Sequence, residues 1–316
     1  ERFAGSARFR DLVPLLAEAY ERFEKLSSAE HELRGVPTGF KSLDDILGGF
    51  QASDLIIIAA RPSVGKTTFA LDIARRTASE HQTPVGIFSL EMSADQLVDR
   101  IVAAQSKTDS SIIRKGIRTQ HGTWRDDVFT SIRNALDDLA KTPIYIDDQS
   151  GNTIMKMRSA ARKLKIEKGL RLLVVDYLQL MTPSSARAND STVQQVTEIS
   201  RGLKHLAREL NIPVIALSQL SRNIENRGGK PKLSDLRDSG AIEQDADLVM
   251  FIHQNDEDLR DEAGKIREVQ RKELIIAKHR NGPLGTVALD FHTRFGAFVE
   301  IDYSNYGKIE EDFQSF

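Results

Sequence analysis

Four short runs of mostly branched apolar residues, Leu55 to Ala60, Val85 to Leu90, Leu172 to Asp176 and Val214 to Ser218, are separated by stretches with helical periodicity. Runs of this length, each followed by polar positions, read as buried strands, and their alternation with helices specifies a mostly parallel twisted sheet covered by helices on both faces. In an open sheet of this kind, ligands bind beyond the carboxyl ends of the strands. The residues just after each run are therefore where the chemistry is to be sought.

After the first run stands Ala60-Arg61-Pro62-Ser63-Val64-Gly65-Lys66-Thr67-Thr68, and a helix is predicted from about Lys66. A loop between strand and helix can surround a phosphate with backbone N–H groups, and the helix N-terminus adds a favourable dipole. Ser63, Val64, Gly65, Lys66, Thr67 and Thr68 are the candidate nucleotide ligands. Lys66 would neutralise the β and γ oxygens of ATP, and the Thr67 hydroxyl would ligate Mg²⁺. Ala60 stands where the usual phosphate-loop pattern has its first glycine.

The other strand ends supply complementary groups. Asp176 closes the run Leu172-Leu173-Val174-Val175 and is the candidate magnesium ligand, with a helix-capping Asp as the plain alternative. Glu91 follows Ile87-Phe88-Ser89-Leu90 and is the candidate base that activates water, with a capping role for the helix Asp95 to Ala104 as its alternative. Gln219 follows Val214 to Ser218. A neutral amide there suits a sensor of the γ-phosphate that passes its presence to the next loop.

Composition narrows the rest. A formal net charge of −2 over 316 residues argues against a broad basic coat, so any nucleic-acid contact must be local or concentrated by assembly. The absence of cysteine excludes disulfides and thiolate chemistry. No apolar run approaches the length needed to span a bilayer, and no signal pattern precedes the body, which predicts a cytoplasmic protein without membrane partners. The chain opens on Glu1 rather than Met, which suggests an upstream part. Leu12, Leu15, Leu16, Ala19, Phe23 and Leu26 lie at helical spacing over 11–27, with Asp11 as N-cap and Pro14 in the first turn. Periodicity alone leaves open whether this helix packs on its own domain or on a neighbour. A second helix is predicted over Val193 to Leu210, and a strand-rich part from Glu273 to Ile301 is broken at Asn281-Gly282-Pro283.

Taken together, Pro37-Thr38-Gly39-Phe40, Leu43-Asp44, Gly48-Gly49-Phe50, the ARPSVGKT loop, Phe88-Ser89-Leu90-Glu91-Met92, Val174-Val175-Asp176-Tyr177-Leu178-Gln179 and Ala216-Leu217-Ser218-Gln219-Leu220-Ser221 resemble the C-terminal motor domain of DnaB replicative helicases. The resemblance runs from about residue 10 to 303, and Ala60 is itself characteristic of that family. It implies a RecA-like P-loop ATPase over 36–305, a linker helix and connecting segment over 1–35, and a C-terminal tail over 306–316. It implies a homohexamer that uses ATP and Mg²⁺ to move 5′ to 3′ on single-stranded DNA and unwind duplex at the replication fork, with primase and a helicase loader as partners.

The resemblance also assigns residues. Within Ala277-Lys278-His279-Arg280-Asn281-Gly282, Lys278 and the arginine finger Arg280 would reach the γ-phosphate bound to the next subunit; the plain reading is two exposed basic residues on a strand edge. Arg100 matches a family residue near the nucleotide. The segment Ser234-Asp235-Leu236-Arg237-Asp238-Ser239-Gly240 resembles the DNA loop of the central channel, with Arg237 and the backbone near Asp238 and Gly240 on phosphates. Thr182 to Ser191 matches a second channel loop. Neither loop holds an aromatic, which predicts phosphate contact rather than base stacking. The linker helix would dock on the adjacent protomer. Two rival readings are a RecA-like recombinase, disfavoured by the Arg61-Pro62-Ser63 loop, and an ATP-gated scaffold with little turnover, disfavoured by intact Glu91, Asp176 and Arg280.

Overall fold

The computed structural model describes residues 11–28, 33–115, 126–149, 151, 153–178, 181, 192–221, 224, 227, 229–236, 240–255, 259–260 and 264–301. A nine-stranded sheet organises them. Its strands are β1 (Leu55–Ala60), β2 (Val85–Ser89), β3 (Ile144–Asp147), β4 (Leu172–Asp176), β5 (Val214–Gln219), β6 (Leu248–His253), β7 (Val269–His279), β8 (Gly285–His292) and β9 (Ala297–Glu300). Their order is β3-β2-β4-β5-β1-β6-β7-β8-β9. The strands from β3 to β6 pair in parallel, whereas β6, β7, β8 and β9 pair antiparallel.

Burial explains why this sheet forms. β1, β2, β4 and β6 are buried at every position and β5 at all but Gln219, as strands covered on both faces must be. The helices are α1 (Leu12–Ser28), α2 (Lys41–Leu47), α3 (Lys66–His81), α4 (Ala94–Ser106), α5 (Ser110–Lys115), α6 (Asp126–Leu139), α7 (Ile154–Lys168), α8 (Thr192–Leu210) and α9 (Gly240–Asp245). Two apolar clusters lie on opposite faces of the sheet. One joins Ile56 and Ile58 of β1 to Phe69 and Ile73 of α3; the other joins Leu55 and Ile57 to Val196, Leu203 and Leu206 of α8. Successive β1 side chains thus feed opposite layers, the period-two rule of a strand. The mostly parallel α/β architecture is the one read from the four apolar runs.

The strand-rich C-terminal part starts at Val269, four residues before Glu273, because Gln270 and Lys272 alternate inward in register with Leu274 and Ile276. Its hairpin β8–β9 is tied to the phosphate-loop helix. Buried Asp72 of α3 accepts the Phe298 N–H at 2.7 Å, and Arg76 donates to the Phe298 carbonyl at 3.1 Å and the Gly39 carbonyl at 3.1 Å. Phe40, Phe69, Phe298 and Phe291 form a chain of rings with centroids 5.3, 5.1 and 4.9 Å apart. Each such pair adds about 1 kcal/mol beyond its buried area. Gly39 of the Pro-Thr-Gly-Phe segment has φ +78°, and a Cβ there would lie 2.3 Å from Cβ of Arg76. That close approach accounts for the glycine.

In α1, Asp11 accepts the Val13 N–H at 3.2 Å, as a capping residue does. Among its described side chains Leu15 and Ala19 are half-buried, whereas Leu12, Leu16, Tyr20 and Phe23 are all more than half exposed.

Candidate nucleotide site

The phosphate loop leaves β1 at Ala60 and enters α3 at Lys66. Ser63 (φ +64°) and Gly65 (φ +109°) both take left-handed backbone conformations. Alternating hand in this way turns successive N–H groups toward one point, where an anion binds. A Cβ on Gly65 would stand 3.3 Å from the Phe298 ring, so both its φ and its floor favour glycine. Above the loop lies a cleft of ≈ 480 Å³ lined by Ser63, Gly65, Lys66, Thr67, Thr68, Glu91, Arg100, Tyr177, Gln219 and Phe291, among others.

Sheet register brings the acids and the amide to this cleft. Ser89 pairs with Asp176, and Ala60 with Gln219, so β2, β4, β1 and β5 end together. The Thr67 hydroxyl donates to Asp176 Oδ2 at 2.7 Å. The other oxygen, Oδ1, is buried and has no hydrogen-bond partner. Burial pushes the Asp176 pKa up, opposed by the Thr67 hydrogen bond and Lys66. Burial likewise pushes Lys66 down, opposed by Asp176 and Glu91. A divalent cation would favour the ionised Asp176, and phosphate anions the charged Lys66: a hydroxyl, an open carboxylate oxygen and a desolvated acid form a donor set that fits Mg²⁺. Lys66 Nζ also lies 4.3 Å from the centre of the Tyr177 ring.

The capping alternatives find other owners. Ser93 caps α4, its hydroxyl accepting the Gln96 N–H at 3.4 Å while Gln96 Oε1 accepts the Ser93 N–H at 3.3 Å. Glu91 stays exposed at the cleft mouth, close enough to act electrostatically on Lys66 and Asp176. Asp176 spends its contact on Thr67 rather than on a helix end. Arg100 of α4 is exposed and lines the same cleft.

Gln219 leads directly to the next loop. Leu220 pairs antiparallel with Leu236, and Ser221 N–H donates to the Asp235 carbonyl at 2.9 Å. Arg237 and Asp238 lie outside the described residues, as does Thr182 to Ser191. Gly240 is exposed and opens α9.

Lys278 and Arg280 are not in this cleft. Arg280 donates to Asp247 Oδ1 at 3.1 Å and to the Gln244 carbonyl at 2.5 Å, while Lys278 donates to the Glu243 carbonyl at 2.5 Å. Burial pushes the Lys278 pKa down, and the neighbouring Arg280 adds to the shift. Buried Asp247 also accepts from Lys204 Nζ at 2.5 Å and from the Leu55 N–H at 2.8 Å, at the first residue of β1. The two basic residues therefore sit where the parallel strands begin, and the phosphate loop sits where they end. The six residues of β1 separate the two edges, five steps of strand rise or roughly 17 Å. That exceeds the reach of an arginine side chain, so neither residue serves the phosphate loop of its own chain.

Two contributors were not visible among the motifs: Asp247, which anchors Arg280, and Lys272, which donates to the Val64 carbonyl at 2.5 Å beneath the loop. Inward alternation along β7 was the available signal for Lys272.

Residues 35–300 match the family model of the DnaB-like helicase C terminal domain. The chain belongs to this family. It is 45% identical to the replicative DNA helicase DnaB of Geobacillus stearothermophilus over 298 residues, which cover 94% of this chain and 63% of the relative. It is 44% identical to the replicative DNA helicase DnaC of Bacillus subtilis, again covering 94% of this chain and 63% of the relative. The DnaB-like chain thus spans less than two thirds of these relatives. Among solved structures, an ATPase domain superposes with a TM-score of 0.81 at 36% identity, covering 93% of this chain and all of the other. A DnaB-like replicative helicase studied for its interactions with primase superposes at 0.79 and 37%, covering 91% and 68%. A KaiC-like protein of Pyrococcus horikoshii shares the fold at 0.57 and 16%, covering 86% of this chain and all of the other. Among the described residues, no helix of this DnaB-like domain is long and apolar enough to cross a membrane.

Proposed function

We propose that this chain is the motor of a replicative DNA helicase, binding ATP with Mg²⁺ in the cleft at the carboxyl ends of β1, β2, β4 and β5. The observation that carries this reading is Asp176, with one oxygen on Thr67 Oγ1 and the other buried without a partner beside Lys66. Thr67 and Asp176 would hold the metal, which when bound neutralises phosphate charge. Ser63, Val64, Gly65 and Thr68 present backbone to the phosphates, and Lys66 places its ammonium against them. Glu91 accepts a proton from the attacking water, and Gln219 senses the γ-phosphate. Arg100 stands beside the nucleotide.

Lys278 and Arg280 complete the cleft of a neighbouring copy, a head-to-tail contact that closes into a ring, here read as a hexamer. Arg237, Asp238 and Gly240 track the phosphates of single-stranded DNA, and several subunits on one strand supply the avidity that a chain of net charge −2 lacks. Movement is 5′ to 3′, at replication forks in the cytoplasm. The exposed apolar side of α1 docks on the next protomer, and primase and a loader join the assembly. The test is ATPase activity with and without single-stranded DNA, combined with unwinding of forked duplexes bearing a 5′ or a 3′ tail. The reading predicts DNA-stimulated hydrolysis and unwinding from the 5′ tail; hydrolysis with strand exchange and no unwinding would contradict it.

A further inference from the structure

A buried cation lies under the phosphate loop. Lys272 on β7 is 2% exposed, and its Nζ donates to the Val64 carbonyl at 2.5 Å. The same atom is 3.9 Å from the centre of the Phe291 ring on β8 and 5.6 Å from that of Phe298 on β9. Around it, the loop offers the Val64 carbonyl and Lys66, and α3 offers Asp72, which is occupied by Arg75 and the Phe298 N–H. None of these charges shifts Lys272: burial is the sole cause that pushes its pKa down to about 8. An ammonium buried without a carboxylate is costly, and a methionine would fill the same space without that cost. Packing alone therefore does not account for the charge.

Peptide geometry does. The Val64–Gly65 peptide is planar and trans, so its carbonyl and the Gly65 N–H point in opposite directions. Fixing the carbonyl on the underside of the loop aims the Gly65 N–H at the phosphate side. We propose that Lys272 is a positioning residue of the phosphate loop: its ammonium pins the Val64 carbonyl, orients the Gly65 N–H toward a bound nucleoside di- or triphosphate, and adds positive potential beneath it. The inference rests on the reading of the cleft as a nucleotide site.

A polyanion placed above Lys272 favours its charged form, so binding draws a proton onto the lysine when it is neutral. Affinity is then full below about pH 8 and falls as pH rises through that value. Lys66, whose pKa burial also lowers, is the same in wild type and in both Lys272 variants, so only differences from wild type report on Lys272.

The experiment is calorimetric titration of the full chain with ADP, without divalent metal, from about pH 7.5 to 9.5, a range above the last ionisation of the phosphates. Wild type is expected to lose about tenfold in affinity across the range beyond any loss shown by K272R. K272R, always charged, is expected to match wild type at the lower limit. K272M is expected to bind about tenfold more weakly there while remaining folded by circular dichroism. Wild-type affinity and pH profile in K272M overturn the proposal. Should K272M fail to fold, K272R decides: a fall with pH identical to wild type overturns it. K66A separates the two claims. If wild type binds ADP and K66A does not, the nucleotide site stands whatever Lys272 does; if wild type does not bind, both claims fall.

Discussion

Arg280 and Lys66 occupy opposite edges of one sheet, Arg280 bonded to Asp247 where the parallel strands begin and Lys66 at the loop where they end. A phosphate held by Lys66 is beyond the reach of Arg280 in the same chain. The proposed division of the active site between two copies follows from this separation, and its parts can be tested separately.

Glu91→Gln preserves size and removes the carboxylate proposed as the base. We predict that kcat for ATP falls about 10²- to 10⁴-fold while nucleotide affinity changes little, because Lys66 and the loop are untouched. Steady-state hydrolysis measured beside nucleotide binding checks this. Unchanged turnover would mean that another group activates water.

Asp176→Asn keeps an acceptor for the Thr67 hydroxyl but removes the charge on the buried oxygens. The metal requirement should rise at least tenfold in a Mg²⁺ titration of ATPase activity, with metal-free ADP binding nearly intact. Equal loss of both would point to misfolding of the cleft.

Gln219→Ala should uncouple the cleft from DNA. Leu220 pairs with Leu236, the residue before Arg237, so a side chain at 219 lies one step from that pairing. Basal ATPase is predicted to persist and stimulation by single-stranded DNA to be lost; Arg237→Ala should lose stimulation too. Normal stimulation in both variants would remove the loop from the pathway.

Asp44 gives a stability prediction. It accepts the Thr38 N–H at 2.9 Å, yet burial pushes its pKa up to about 6. The folded state therefore favours the protonated acid, and this contribution, full below the unfolded carboxylate pKa near 4, is lost as pH rises through about 6. Asp44→Asn should gain on wild type across that window by on the order of 2 kcal/mol in denaturant melts, allowing for partial solvation. A constant difference between the two proteins would contradict the assignment.

What the sequence made legible follows from what each signal depends on. β1, β2, β4 and β5 declare themselves because strands buried on both faces are continuously apolar, and their ends declare Glu91, Asp176 and Gln219 because position in such a sheet is position at the site. β3 is short and only half-buried, so its signal is weak. Lys272 reads as a solvated residue until β7 is known to alternate it inward with Leu274 and Ile276. Asp247 has no local pattern at all. Its role arises from bringing Leu55, Lys204 and Arg280, distant in the chain, to one carboxylate. The division of the site between copies is what the resemblance implies; the structure adds that Arg280 and Lys66 lie at opposite ends of the parallel strands, which is compatible with that proposal.

Mixing two inactive variants tests that division most directly. Lys66→Ala lacks the proposed phosphate-loop lysine, and Arg280→Ala lacks the group proposed to serve a neighbour. If the site is shared, co-assembled variants regain ATPase activity, up to about a quarter of wild type from random head-to-tail pairing, because some interfaces join an intact loop to an intact arginine. A mixture no more active than the average of its components would show that each chain completes its own site.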